Sequence, residues 1–113
     1  MNAKSKFKLI PYITYSDPDE VATEAFVSAC FDNGADMIEL GMPFSDPIAD
    51  GPVIQASHQR ALTNNPNITL THLLKFISSL KRKYTQPILI MCAVNLIIQF
   101  GVAEFFTSAK QHG

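Results

Sequence analysis

Short apolar runs recur along this chain, separated by stretches in which apolar residues return every three or four positions. The first pattern predicts strands and the second amphipathic helices. Leu9 to Thr14 is apolar and β-rich and predicts a first strand closing at Tyr15-Ser16. Asp17-Pro18-Asp19-Glu20 then predicts a helix start, with Asp17 as N-cap, Pro18 at the first helical position and acids in the first turn. Two rows spaced by four, Val21/Ala25/Ala29 and Ala22/Phe26/Cys30, predict its core-facing stripe, and Asn33-Gly34 predicts its end. Met37 to Leu40 reads as a second strand without polar alternation apart from Glu39, the pattern of a sheet covered on both faces.

The loop Gly41–Asp50 carries two prolines and two aspartates, and a helix opens near Pro52 with Val53, Ile54, Ser57, Ala61 and Leu62 on its inner side. Asn64-Asn65-Pro66-Asn67 breaks that pattern. Thr69 caps a stronger helix in which Leu70, Leu73, Leu74, Ile77 and Leu80 keep helical spacing. After Gln86-Pro87, Ile88 to Val94 reads as a third buried strand, and beyond Gly101 a last helix carries Val102, Phe105, Phe106 and Ala109. The order β-α-β-α-α-β-α is that of parallel βαβ units with right-handed crossovers. Three parallel strands with two open edges make a poor independent domain. The expectation is an α/β chain of parallel βα units forming the first three or so strands of a (β/α)₈ TIM barrel, a fold of about 250 residues. Residues 1–113 would then be the N-terminal portion of one domain, with no separate second domain.

Composition narrows the function classes. Hydrophobic residues make up 47% and charged residues 17% of the 113 positions, so the chain is of globular rather than disordered type. A net charge of −1 gives no support for nucleic acid, and the nearest basic cluster, Lys81-Arg82-Lys83, reads as the last turn of a helix. Cys30 and Cys92 read as two buried thiols of a reducing compartment. The start has positive charge but no long apolar region after it, so no secretory signal and no membrane span is expected, and the default location is cytoplasmic.

The candidate chemistry lies at Glu39 and Asp50. A charged side chain inside a buried strand needs a partner or a job. In a barrel, working residues sit at the C-terminal ends of strands, so Glu39, Asp50, Tyr12-Ile13-Thr14 and Ala93-Val94-Asn95 should face one mouth. Two carboxylates there suit general acid–base work. The competing expectation is structural, with Glu39 in a salt bridge and Asp50 as the N-cap of the helix at Pro52. Asp17, Glu39, Asp46 and Asp50 as Mg²⁺ ligands is a weaker expectation because their spacing is scattered, and no metal is expected. Ser45 lacks His and Asp partners at a recognisable spacing, and His58 reads as a surface or capping residue.

Several segments carry a resemblance. Gly34-Ala35-Asp36, Glu39-Leu40-Gly41, Pro43-Phe44-Ser45-Asp46-Pro47 and Ala49-Asp50-Gly51-Pro52 with Ile54-Gln55 resemble the signature of the tryptophan synthase α chain. Pro11-Tyr12-Ile13-Thr14, Asp17-Pro18 and the stretch from Met91 through Asn95 to Gln99-Phe100-Gly101 resemble its first strand and turn and its third strand and turn. The chain departs from the family at Ala93, followed by Val94, where a Tyr commonly stands. The resemblance implies a lyase of tryptophan biosynthesis that splits indole-3-glycerol phosphate by retro-aldol cleavage into indole and glyceraldehyde 3-phosphate. It implies Glu39 as the general acid–base residue, Asp50 as the second catalytic carboxylate and Tyr12 in the indole pocket. Pro43 and Asp46 would fall on a surface touching the β chain. It implies no cofactor in this chain, pyridoxal phosphate in the β partner, an α2β2 assembly, and a phosphate site in later strands outside these residues. The other expectation is an inactive, truncated α-chain fragment serving at most as a β-chain interaction module.

Overall fold

The computed structural model describes residues 6–113; residues 1–5, where the expectation of no secretory signal begins, lie outside the described part. The elements follow in the order β1 (Tyr12–Thr14), α1 (Glu20–Asp32), β2 (Ile38–Gly41), α2 (Pro52–Asn64), α3 (Leu70–Lys81), β3 (Ile88–Met91), α4 (Val94–Phe100) and α5 (Val102–His112). The strands form one parallel sheet in the order β1-β2-β3, with Tyr12 opposite Glu39, Glu39 opposite Leu89, and Leu40 between Ile13 and Ile90. Among the described residues, no helix is long and apolar enough to cross a membrane.

One face of this sheet is covered and the other is not. Ile38 and Leu40 are fully buried in a core with Val27, Phe31, Leu73, Phe76, Ile77 and Leu80, and Ile13, Ile88 and Ile90 pack against it. Side chains alternate along a strand, so Tyr12, Glu39 and Leu89 point the other way. There Leu89 is 45% and Met91 48% exposed. The expectation of a sheet covered on both faces is therefore corrected: on the second face α2 reaches only Tyr12 and Thr14 of β1, and β3 is left exposed.

Two further expectations, both in α1, shift for identifiable reasons. The N-cap of α1 is Asp19, whose carboxylate accepts from the Ala22 amide at 2.7 Å. Asp17 instead takes a two-pronged bond from Arg60 of α2, at 2.8 and 2.9 Å. The buried line of α1 is Thr23, Val27 and Phe31, while Val21 and Phe26 are exposed. A threonine in that line hides it from a search for apolar residues. Thr23 is tolerated there because its hydroxyl accepts from the Ser16 amide at 2.9 Å and donates to the Asp19 carbonyl at 2.8 Å. The end of α1 is as expected: the Ala35 amide reaches Cys30 and the Gly34 amide reaches Phe31, with Gly34 at φ +99°.

The apolar run from Ile88 onward contains two elements rather than one. Pairing stops at Met91, opposite Gly41, and Val94 already opens α4, whose Leu96, Ile97 and Phe100 pack on the core. An unbroken apolar run does not distinguish strand from buried helix. In α5, Phe105 is buried while Phe106 is mostly exposed, so only one of the two is a core aromatic. By contrast α3 forms as predicted, with Thr69 and His72 in a reciprocal cap and all five predicted leucine and isoleucine positions buried.

Candidate active site

The C-terminal ends of the strands open onto a cavity of about 510 Å³, lined by Tyr12, Phe44, Asp46, Asp50, His58 and residues 91–95 among others. The sequence places β1, the β2–α2 loop and the β3–α4 turn around it, because parallel strands bring their ends to one side. At the end of β2, Gly41 has no room for a side chain: a Cβ there would lie 2.0 Å from the Tyr12 hydroxyl oxygen. The phenol of Tyr12 thus lies across the end of β2, directly over Gly41.

Tyr12 is held by its neighbours. Thr14 Oγ1 donates to Tyr12 Oη at 3.3 Å and shares a 2.7 Å hydrogen bond with Ser57 Oγ of α2. His58 Nε2 lies 3.2 Å from the phenolic oxygen. Burial raises the Tyr12 pKa, the Thr14 bond opposes this, and the charges of Asp50 and Glu39 raise it further. Both candidate carboxylates therefore act on one phenol. Glu39 sits beside Tyr12 in the sheet register, on the open face, but does not itself line the cavity.

The structural expectation for the pair is corrected in both parts. Among the described residues, no cation pairs with Glu39; the ion pairs are Lys8–Asp36, Arg60–Asp17 and Lys83–Glu24. The N-cap of α2 is Gly51, with no side-chain cap, so Asp50 is not the cap. Asp50 instead lies 4.0 Å from His58, partly exposed at the cavity rim. Gln55 holds the loop behind it by donating to the Asp50 carbonyl at 2.7 Å.

The two loop residues expected to face a partner differ. Pro43 is buried, whereas Asp46 is exposed and lines the cavity. Near Asp46, Ile48 is 96% exposed. Ala93 and Val94 line the cavity, as does Cys92, whose thiol is pushed up by burial. Cys30 and Cys92 are both free and partly buried. Among the described residues, no group of three or more His, Cys, Asp or Glu is arranged to hold a metal ion.

His58 is the functional-site residue that the sequence reading misplaced. It is 6% exposed, not on the surface, and its ring joins Tyr12 to the loop. Its position was legible: Ile54, His58 and Ala61 share the inner line of α2 by their four- and three-residue spacing.

A parallel sheet with helices on one face, each strand followed by helix, is the arrangement of a segment of a (β/α)-barrel. Comparison with known proteins makes this specific. The family model described as tryptophan synthase alpha chain matches residues 1–113. The chain is 40% identical over 111 residues to the tryptophan synthase alpha chain of Desulfosudis oleivorans, covering 98% of this chain and 41% of that one. It is 43% identical over 114 residues to that of Polynucleobacter asymbioticus, covering 100% and 42%. It superposes with TM-score 0.86 on a chain in the X-ray crystal structure of the tryptophan synthase complex from Pyrococcus furiosus, at 44% identity over 94% of this chain and 43% of that one. The TM-score is 0.88 with tryptophan synthase subunit alpha from Legionella pneumophila, at 37% identity over 94% and 40%. The chain belongs to the tryptophan synthase alpha chain family. It spans about two fifths of the length of these relatives and corresponds to the N-terminal part of their barrel.

Proposed function

We propose that this segment supplies the proton-transfer side of a lyase that cleaves indole-3-glycerol phosphate to indole and glyceraldehyde 3-phosphate. The observation that carries the reading is a carboxylate, Glu39, inside a sheet and opposite Tyr12, with no ion-pair partner among the described residues, and a second carboxylate, Asp50, lining the cavity that Tyr12 also lines. The reaction needs protonation of indole C3 and removal of the side-chain hydroxyl proton as the carbon–carbon bond breaks. Glu39 in its acid form gives the proton to C3, and as carboxylate it then takes the hydroxyl proton, so that the aldehyde forms and indole leaves. The ring nitrogen carries positive charge in between, and the fixed carboxylate of Asp50 stabilises it. Tyr12 forms one wall of the indole pocket. These steps use side chains alone; pyridoxal phosphate belongs to the proposed β partner, and the phosphate of the substrate is gripped by later parts of the barrel.

The loop after β2 is the proposed contact with that β chain. Asp46 and Ile48 offer a charge and an uncovered apolar side chain there, and Pro43 is buried at the start of the loop. This also supports a second reading, in which the segment acts only by docking a β chain. The test is a chimera in which residues 1–113 replace the matching part of the Polynucleobacter asymbioticus alpha chain, assayed for indole release with a β chain present. The lyase reading expects turnover that Glu39→Gln lowers by about 10²–10⁴-fold and Asp50→Asn by about 10²–10³-fold. A folded chimera that binds the β chain but makes no indole supports docking alone.

A further inference from the structure

His58 has polar neighbours at both ring nitrogens. Phe44 N lies 3.0 Å from Nδ1, Tyr12 Oη lies 3.2 Å from Nε2, and Asp50 Oδ2 lies 4.0 Å from the same Nε2. A backbone N–H only donates, so Nδ1 must offer its lone pair to Phe44. The neutral ring then carries its hydrogen on Nε2, and that hydrogen goes to Tyr12, since Asp50 at 4.0 Å is beyond hydrogen-bond reach. We propose that His58 is a positioning residue, held as the Nε2–H tautomer, that fixes the Tyr12 phenol over Gly41 and the loop amide of Phe44 at once.

Each ring nitrogen anchors a different wall of the cavity: Nε2 the aromatic wall on β1, Nδ1 the root of the loop that carries Asp46 and Asp50. His58 touches no reacting atom in this scheme. It acts through Tyr12 and Phe44, whatever the cavity binds.

The tautomer is read directly from the histidine side-chain ¹⁵N spectrum of the labelled 113-residue chain, at a pH where the ring is neutral. The expected result is a pyridine-like Nδ1 and a pyrrole-like Nε2 for His58; the reverse assignment, or rapid averaging of the two, overturns the proposal. Two variants separate the roles. His58→Asn keeps an acceptor near Nδ1, and His58→Gln keeps a donor near Nε2. Hydrogen exchange at the Phe44 amide should rise roughly tenfold in His58→Gln, as for loss of one ordinary hydrogen bond, and stay unchanged in His58→Asn. The Tyr12 ring signals should move in His58→Asn and not in His58→Gln. Equal effects of both variants on both probes mean that His58 only fills space, and contradict the proposal. Neither probe reads turnover, so failure here leaves the lyase reading intact, and failure of the lyase reading leaves this one intact.

Discussion

The two faces of the sheet draw alternately on the same eleven strand residues and serve opposite ends. On the helix-covered face, Ile13, Ile38, Leu40, Ile88 and Ile90 meet α1 and α3 in a closed apolar core. On the other, Tyr12, Glu39 and Leu89 form one register row and Met91 stands beyond them opposite Gly41; α2 reaches only the β1 end of this face, through His58 and Ser57, and leaves Leu89 and Met91 exposed. Alternation along each strand divides the two sets. The covered face supplies the stability, and the open one holds the charge and the phenol on which the proposed chemistry rests. A barrel needs both, because its interior face collects the working groups while its outer face anchors the strands.

The largest effect should come from breaking the covered face. Leu40→Ala removes a fully buried side chain at the centre of the core and should cost about 2–5 kcal/mol of stability by urea denaturation. Its counterpart Leu89→Ala, on the open face, should stay within about 0.5 kcal/mol. Comparable losses at both positions would erase the distinction between the faces.

A smaller effect is expected where the open face is tightly fitted. Gly41→Ala puts a methyl group where the Tyr12 phenol lies, so the ring must leave its place. The expected loss is about 1–3 kcal/mol, as for other overpacked sites, with most of it recovered in the Gly41→Ala/Tyr12→Ala double variant. Failure of the second change to rescue the first means that Tyr12 does not occupy the space over Gly41.

Alkaline pH should distinguish the faces more gently. Tyr12 and Tyr15 both have pKa values raised above 10.0, each chiefly by burial, and Tyr15 also by donating to the Glu20 carboxylate. A raised folded pKa favours the neutral phenol in the fold. That contribution is fully present below pH 10 and is lost as pH rises through the higher folded values. Tyr15, packed against Phe76 on the core side, has the larger shift. Tyr15→Phe should therefore flatten the alkaline fall in stability more than Tyr12→Phe does. The smallest effect belongs to the surface: Glu24→Gln, which removes the exposed pair with Lys83, should leave the denaturation midpoint unchanged.

How much the sequence disclosed follows the same division. The cap and stripe of α3 were legible because apolar residues keep one helical phase throughout. In α1 the phase was misread, because Thr23 sits in the buried line and Asp17 competes with Asp19 for the cap. The run from Ile88 was apolar across a strand, a turn and a helix, and apolarity alone marks no boundary. At the site, Glu39 and Asp50 stood out as charges in unusual places. His58 did not, since its role depends on where the root of the loop after β2 turns, and Phe44 reaches it through a backbone amide.

The Glu39 carboxylate, with no ion-pair partner among the described residues, is the group proposed to move the proton. The most direct measurement of that role is the rate of indole release by the chimera carrying residues 1–113 with a β chain, comparing Glu39 with Glu39→Gln. Turnover that falls by about 10²–10⁴-fold, with circular dichroism and β-chain binding unchanged, is the predicted result. Equal turnover in the two proteins would contradict it.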